Sequence, residues 1–425
     1  MHKYIVDFLD LLNGSPTSIQ ASSEIIKRLE RYDFKLLKEE DHWELQNGGK
    51  YYICRDTSII AIILGSRNLL DTGYKIGAAH IDSPSLKIKP ESLKTENSIT
   101  SISVEVYGSP IISSWIDRSL GIAGRIAVKE EDNFRILPVD LRRPVAVIPN
   151  AALHLNREIN KGFEYNKQTH LKAILQSKES DKNPLMGALA TELGVARDDI
   201  FGSELFLYDF ELAELCGLDQ SLIMSARLDN LGMTHSILSA ISEVENPEST
   251  CIAALFDHEE IGSETRQGAD SSFLENILER IAITKGYSRE EYLRILNKSF
   301  LVSGDMAHSY HPSYPEKYDP SYSPVMNGGP VIKWHANYNY ATNLESSQMF
   351  KKLCKTAEVP CQTYIIRSDL LCGSTIGHIL SSRLGIPVVD VGNPLWAMHS
   401  VRETVGVQDH INMIKVLELY YQKNI

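Results

Sequence analysis

Apolar residues recur along this chain with two different rhythms, and the places where one gives way to the other divide the sequence. Near the start Tyr4, Ile5, Phe8, Leu9, Leu11 and Leu12 fall on one stripe at helical spacing. Gly14-Ser15-Pro16 breaks that stripe and residues 19–29 resume it, which predicts two helices within the first 32 residues. Residues 51–54 and 59–64 are short Tyr- and Ile-rich runs separated by Arg55-Asp56-Thr57, the pattern of paired strands. Residues 74–80 read as another strand, ending in Ile81-Asp82-Ser83-Pro84.

From about Pro90 a period of two prevails. Ile102, Val104 and Val106 alternate with polar residues, and residues 124–128 and 134–139 flank the acidic turn Glu130-Glu131-Asp132-Asn133. The first long helical stripe after this is at 184–193. At Ser225 the mixed rhythm returns, with helices after Asp229 and over 273–281, 375–384 and 411–421. Strands are expected at 251–256, 300–303, 363–366 and 387–391. The simplest architecture is an α/β domain split in sequence, residues 1–90 and 223–425, carrying a β-rich insertion at 91–222.

A chain of 425 residues is long for one core, which suits this split. No apolar run reaches the ~18 residues that span a bilayer, so no membrane partner is expected. Asp7 stands inside what would be the apolar core of a signal peptide, which argues against secretion. The net charge of -12 lacks the basic footprint of a nucleic-acid binder. Six cysteines without CxxC spacing read as reduced thiols of a cytoplasmic protein.

The chemistry gathers at Glu259-Glu260, which close the apolar run from Cys251 to Phe256. Ligands in α/β sheets collect beyond the carboxyl ends of strands. Two adjacent carboxylates there repel unless a proton or a cation compensates. Ala79-His80-Ile81-Asp82, Arg227-Leu228-Asp229-Asn230, Gly304-Asp305-Met306 and Met398-His399 likewise put metal-ligand side chains at strand ends or in the turns beyond. Singly, each has a plainer reading: a hydrogen-bonded core histidine, an N-cap at Asp229, a turn residue at Asp305. Together, two histidines and three carboxylates suffice for two divalent ions sharing a bridging carboxylate. Such ligands suit zinc, with cobalt or manganese as substitutes. One glutamate of the pair can then bind metal while its neighbour takes a proton from a water activated by the ions.

These segments resemble the aspartyl aminopeptidase family of dinuclear zinc metallopeptidases, and its bacterial members in particular. The resemblance runs through Gly77-Ala78-Ala79-His80-Ile81-Asp82-Ser83-Pro84, Trp115-Ile116-Asp117-Arg118, Arg227-Leu228-Asp229-Asn230-Leu231 and Asp257-His258-Glu259-Glu260-Ile261-Gly262-Ser263. It continues through Asp305-Met306-Ala307-His308, Gly373-Ser374-Thr375-Ile376-Gly377 and Met398-His399-Ser400-Val401-Arg402-Glu403. It implies a mixed-sheet metallopeptidase domain interrupted by a β-rich dimerisation domain. It further implies two ions per subunit, one on His80, Asp229 and Asp305, the other on Asp229, Glu260 and His399. Glu259 matches the general base, and Asp82 matches the carboxylate that orients the His80 imidazole.

Ile148-Pro149, His154-Leu155-Asn156-Arg157 and Gln168-Thr169-His170-Leu171 resemble the family's dimerisation domain. The likeness implies that His170 reaches a neighbouring subunit's site and that dimers build a dodecamer. Lys333, Tyr340 and His308 match substrate-contacting positions, the lysine favouring acidic side chains. Asn156 stands where many relatives carry Asp, and His378 where many carry Pro. The expectation is an aminopeptidase releasing N-terminal Asp or Glu from short peptides. The alternatives are a neutral-residue aminopeptidase or amino-acid deacylase on the same fold and, more remotely, a non-catalytic oligomeric scaffold.

Overall fold

The computed structural model describes residues 1–177 and 183–423. Its centre is a nine-stranded mixed sheet, ordered Lys35–Leu36, Lys50–Arg55, Ser58–Ile63, Thr250–Phe256, Tyr74–His80, Phe300–Gly304, Val388–Gly392, Val331–Trp334 and Gln362–Ile365. Thr250–Phe256 is buried on both faces, which explains its near-continuous apolar run. Because side chains alternate across a strand, Cys251, Ala253 and Leu255 enter one core while Ile252, Ala254 and Phe256 enter the other.

Helices cover both faces. Lys3–Gly14, Ser18–Arg31, Leu228–Ser242, Leu344–Thr356 and Val407–Gln422 pack on the first, with Phe8, Ile25, Ile237, Phe350 and Leu417 fully buried. Phe273–Thr284, Arg289–Asn297 and Ile376–Leu384 pack on the second. The break between the first two helices falls at Ser15, Pro16 and Thr17. Thr17 accepts from the Ile19 N–H and so caps the second helix.

A second sheet of seven antiparallel strands draws only on residues 85 to 209. Its order is Lys172–Gln176, Ile99–Tyr107, Ser85–Ile88, Ile200–Asp209, Leu120–Glu130 and Asn133–Asp140, with Lys94–Glu96 beside Ile99–Tyr107. It has its own core, with Leu86, Val104, Ile122 and Leu207 at its centre and Leu189 of helix Pro184–Leu193 beneath. Gln20 ties this sheet to the body by donating to the carbonyls of Gly124 (2.9 Å) and Val139 (3.1 Å). The sheet begins at Ser85, ahead of the change of rhythm at about Pro90. Glu214–Cys216 and Leu222–Ser225 belong to a third sheet, completed by Glu403–Gly406, Pro394–Trp396 and Ala307–His308. Among the described residues, no helix is long and apolar enough to cross a membrane.

Candidate metal centre

Strand Tyr74–His80 runs parallel to both its neighbours, Thr250–Phe256 and Phe300–Gly304. The three strands therefore end on one side of the sheet, and each delivers a functional side chain at its last residue or just beyond it. His80 is the final residue of the first. Glu259 and Glu260 form a short 3-10 turn after the second, and Asp305 follows Gly304 directly. Asp229 comes from the first turn of Leu228–Ser242, where its own φ/ψ are not helical (-82°, 106°). His399 lies in the loop between Pro394–Trp396 and Glu403–Gly406. Arg227, His258 and His399 have positive φ (60°, 67° and 67°). Such backbone costs on the order of 1–3 kcal/mol per residue and persists only where its surroundings hold it.

The side chains converge. His80 Nε2 lies 3.5 Å from Asp229 Oδ1, 3.7 Å from Asp305 Oδ2 and 3.9 Å from Glu259 Oε2. His399 Nε2 lies 3.5 Å from Asp229 Oδ2 and 3.5 Å from Glu260 Oε2. His80, Glu259 and Asp305 bring one ligand atom each within 4.8 Å of one another, as do His80, Asp229 and Glu260. Asp229 Oδ1 and Glu260 Oε1 are buried with no hydrogen-bond partner. Buried polar atoms are ordinarily satisfied, so this pair of bare oxygens beside two imidazoles fits a divalent cation.

The charge balance agrees. Burial, reinforced by Asp305, Asp82 and Asp229, pushes the Glu259 carboxyl up to about 8 against the opposing pull of His80. Burial and Asp229 hold Glu260 well above the carboxylate range. For His399 burial works downward, yet the hydrogen bond to Asp229 and the charge of Glu260 carry it up to about 10. Burial likewise opposes the charged form of His80, but Glu259, Asp229, Asp305 and Asp82 raise it well above its ordinary value. Taken alone, the cluster has too little positive charge and keeps protons in its place.

A surrounding layer fixes these groups. Asp82 accepts from the N–H of Glu259 (3.2 Å), the N–H of Glu260 (3.1 Å) and the hydroxyl of Tyr107 (2.7 Å), and its Oδ1 lies 3.3 Å from His80 Nδ1. Glu403 accepts from the N–H of Asp229 (2.9 Å) and of His399 (2.8 Å). Lys333, 2% exposed, donates to Asp305 Oδ1 (2.8 Å) and the Met306 carbonyl (3.1 Å), with its ammonium 5.1 Å above the Tyr340 ring. Its charge is thus engaged with a cluster carboxylate. Buried Tyr340 lines the same region. His308, whose pKa burial and Lys333 lower, meets the Tyr364 ring edge-on at 5.7 Å.

His170 is elsewhere. It is exposed on the inserted sheet's side of the molecule, accepting from the Asn166 N–H at 2.9 Å and resting on Phe163. Tyr107 and Glu403 were not singled out for any role by the sequence. Tyr107 ends an alternating strand like many tyrosines, whereas Glu403 sits within a family motif and so carried a signal without a function.

Comparison with known proteins agrees with this geometry. Residues 11–421 match the family described as "Aminopeptidase I zinc metalloprotease (M18)". A protein of Clostridium novyi (strain NT), named "Probable M18 family aminopeptidase 2", is 41% identical over 428 residues, 99% of this chain and 98% of its own length. A chain in the cryo-electron microscopy structure of the Ape4 and Nbr1 complex superposes with a TM-score of 0.95 at 36% identity, covering 99% of this chain and 85% of that one. A chain of the S. cerevisiae mApe1 dodecamer gives 0.85 at 27% identity, with 99% and 96% covered. With a histidine–carboxylate cluster at the strand ends and a match along nearly its whole length, this chain belongs to the M18 family of zinc metalloproteases and is a metal-dependent aminopeptidase.

Proposed function

We propose that the chain holds two divalent ions, zinc by preference, and removes N-terminal residues from short peptides, acidic ones most readily. The observation that carries the two-ion reading is Asp229: its Oδ1 faces His80 and its Oδ2 faces His399, both at 3.5 Å. One carboxylate thus joins two half-sites, His80 and Asp305 on one side, His399 and Glu260 on the other. Bound there, the ions would supply a Lewis acid and a water of lowered pKa.

The remaining work belongs to side chains. Glu259, in the same turn as the ligand Glu260 but facing His80 and Asp305, takes a proton at its carboxylate and returns it to the departing amine. Burial already prepares that carboxyl to hold a proton. Asp82 and Tyr107 fix the backbone on which it sits. His170 has no part in its own chain's cluster, and we assign it to a neighbouring copy's site, where it would donate to the substrate carbonyl. The family likeness and the dodecamer formed by the S. cerevisiae relative support that assembly. Six cysteines, all free, suit a reducing compartment such as the cytoplasm.

The test is a panel of aminoacyl substrates with free and blocked N-termini, run on zinc-reconstituted protein. Free substrates are expected to be cut faster; the reverse preference would make the chain a deacylase. Glu259→Gln is expected to keep two ions and lose at least ~10²-fold in turnover, and normal turnover would remove it from the mechanism. Acidic preference rests on Lys333. A substrate carboxylate would share the ammonium with Asp305, so Lys333→Ala is expected to lower the acidic-to-neutral ratio of kcat/KM. Equal losses on both substrate classes would confine the lysine to bracing Asp305.

A further inference from the structure

The proposed ligands of this site come from segments far apart in sequence, and side chains alone do not hold a backbone. Asp229 and His399 are 170 residues apart in number, and each has a backbone that its own element does not maintain. Asp229 leaves helical φ/ψ inside a helix's first turn, and His399 has φ 67°. A rotation of either main chain would swing its ligand atoms away from the other's.

We propose that Glu403 is the positioning residue that locks these two ligands together, acting through their backbone N–H groups; this rests on the metal reading above. Glu403 is 2% exposed. Its Oε2 accepts from the Asp229 N–H at 2.9 Å and its Oε1 from the His399 N–H at 2.8 Å, so each oxygen serves one ligand residue. Two backbone N–H bonds of this length satisfy both oxygens and offset part of the cost of burying the carboxyl group. The residue is itself anchored, since Glu403–Gly406 pairs with Leu222–Ser225, the strand that leads into Arg227 and Asp229. One short strand pair therefore sets the distance between the Asp229 peptide and the His399 loop.

Asp82 repeats the device at the turn that carries Glu259 and Glu260. Asp82 Oδ1 and Oδ2 accept from the N–H groups of Glu259 and Glu260. Two buried carboxylates, each spanning two consecutive or converging N–H groups, thus fix both the base and three of the ligands. A carboxylate is required for this because both its oxygens accept, whereas an amide of the same shape presents one acceptor and one donor.

The test uses the full chain, stripped by chelation and titrated with zinc against a chromophoric chelator, with cobalt absorption as a report on ligand geometry. In Glu403→Gln one of the two N–H groups faces an amide donor. The expected result is a larger loss, on the order of 10- to 100-fold in affinity, for the ion on Asp229, Glu260 and His399, two of whose ligands Glu403 holds, than for the ion that shares only Asp229 with it. The cobalt spectrum is expected to change while the melting temperature of the metal-free chain stays at the wild-type value. Two stepwise affinities equal to wild type would overturn the proposal. So would an equal loss of both ions with a lower metal-free melting temperature, which marks a purely structural role. Should Glu403→Gln not fold, Glu403→Asp, one methylene too short to span both N–H groups, is held to the same outcomes, and failure of both to fold counts for the structural role. A wild-type chain that takes up fewer than two ions would instead sink the dinuclear reading, leaving the two failures distinct.

Discussion

The two oxygens of Asp229 face different imidazoles, and the protons around it show what a cation must displace. His399, lifted to about 10, and His80, raised well above its ordinary value by its carboxylate neighbours, favour their protonated forms at neutral pH. Glu259, lifted to about 8, and Glu260 hold protons as well. Metal ligation needs neutral imidazole and ionised carboxylate, so loading releases protons. The sign follows: protons compete with the ion, and zinc affinity rises from pH 6 to pH 8. Calorimetric titration in buffers of different ionisation enthalpy is expected to show release of at least one proton per chain at pH 7; zero net release would contradict the charge balance described above. The side chains that gather in the cluster were legible in the sequence because imidazole and carboxylate have few uses at the ends of buried strands. The hold of Lys333 on Asp305 was not, since a lysine's partner depends on where its strand lies in the sheet, and Val331–Trp334 reaches its place only after a long crossover.

Among the elements, the long periodic segments were the readable ones. The run at 251–256 announced a strand because both of its faces are buried, and the stripe from Tyr4 to Leu12 announced a helix because one face is. What local pattern could not show was partnership. Ser85–Ile88 looks like a continuation of the preceding strand and its turn, yet it pairs with Ile99–Tyr107 and Ile200–Asp209. Glu214–Cys216 follows the inserted sheet in sequence and joins a different one. Short strands are assigned to sheets by long-range pairing, which carries no periodic signature. The same holds for Tyr107, whose hydroxyl reaches Asp82 only because its strand ends beside the histidine–carboxylate cluster.

For the whole molecule, the proposed role of His170 in a neighbouring copy's site would make assembly a catalytic variable. Chains carrying His170→Ala and chains carrying Glu259→Gln are each expected to be poorly active, yet co-expression is expected to restore activity. A mixed pair has one site that combines an intact Glu259 with a partner's intact His170, giving about a quarter of wild-type sites for random pairing. No recovery in verified mixed oligomers would return His170 to a role within its own subunit. The order of the central sheet has a further consequence, for synthesis. Strands Ser58–Ile63 and Tyr74–His80 are not neighbours; Thr250–Phe256 lies between them. A ribosome must therefore add some 170 residues after the second of them before the gap between the pair can close. Until then two apolar strand edges wait unpaired, the condition that invites chaperones. The proposed metal centre waits longer still, because His399 and Glu403 follow Thr250–Phe256 by some 140 residues. If the proposed centre needs both residues, the chain stays inert toward its own emerging N-terminus until these segments are made, without an inhibitor to keep it so.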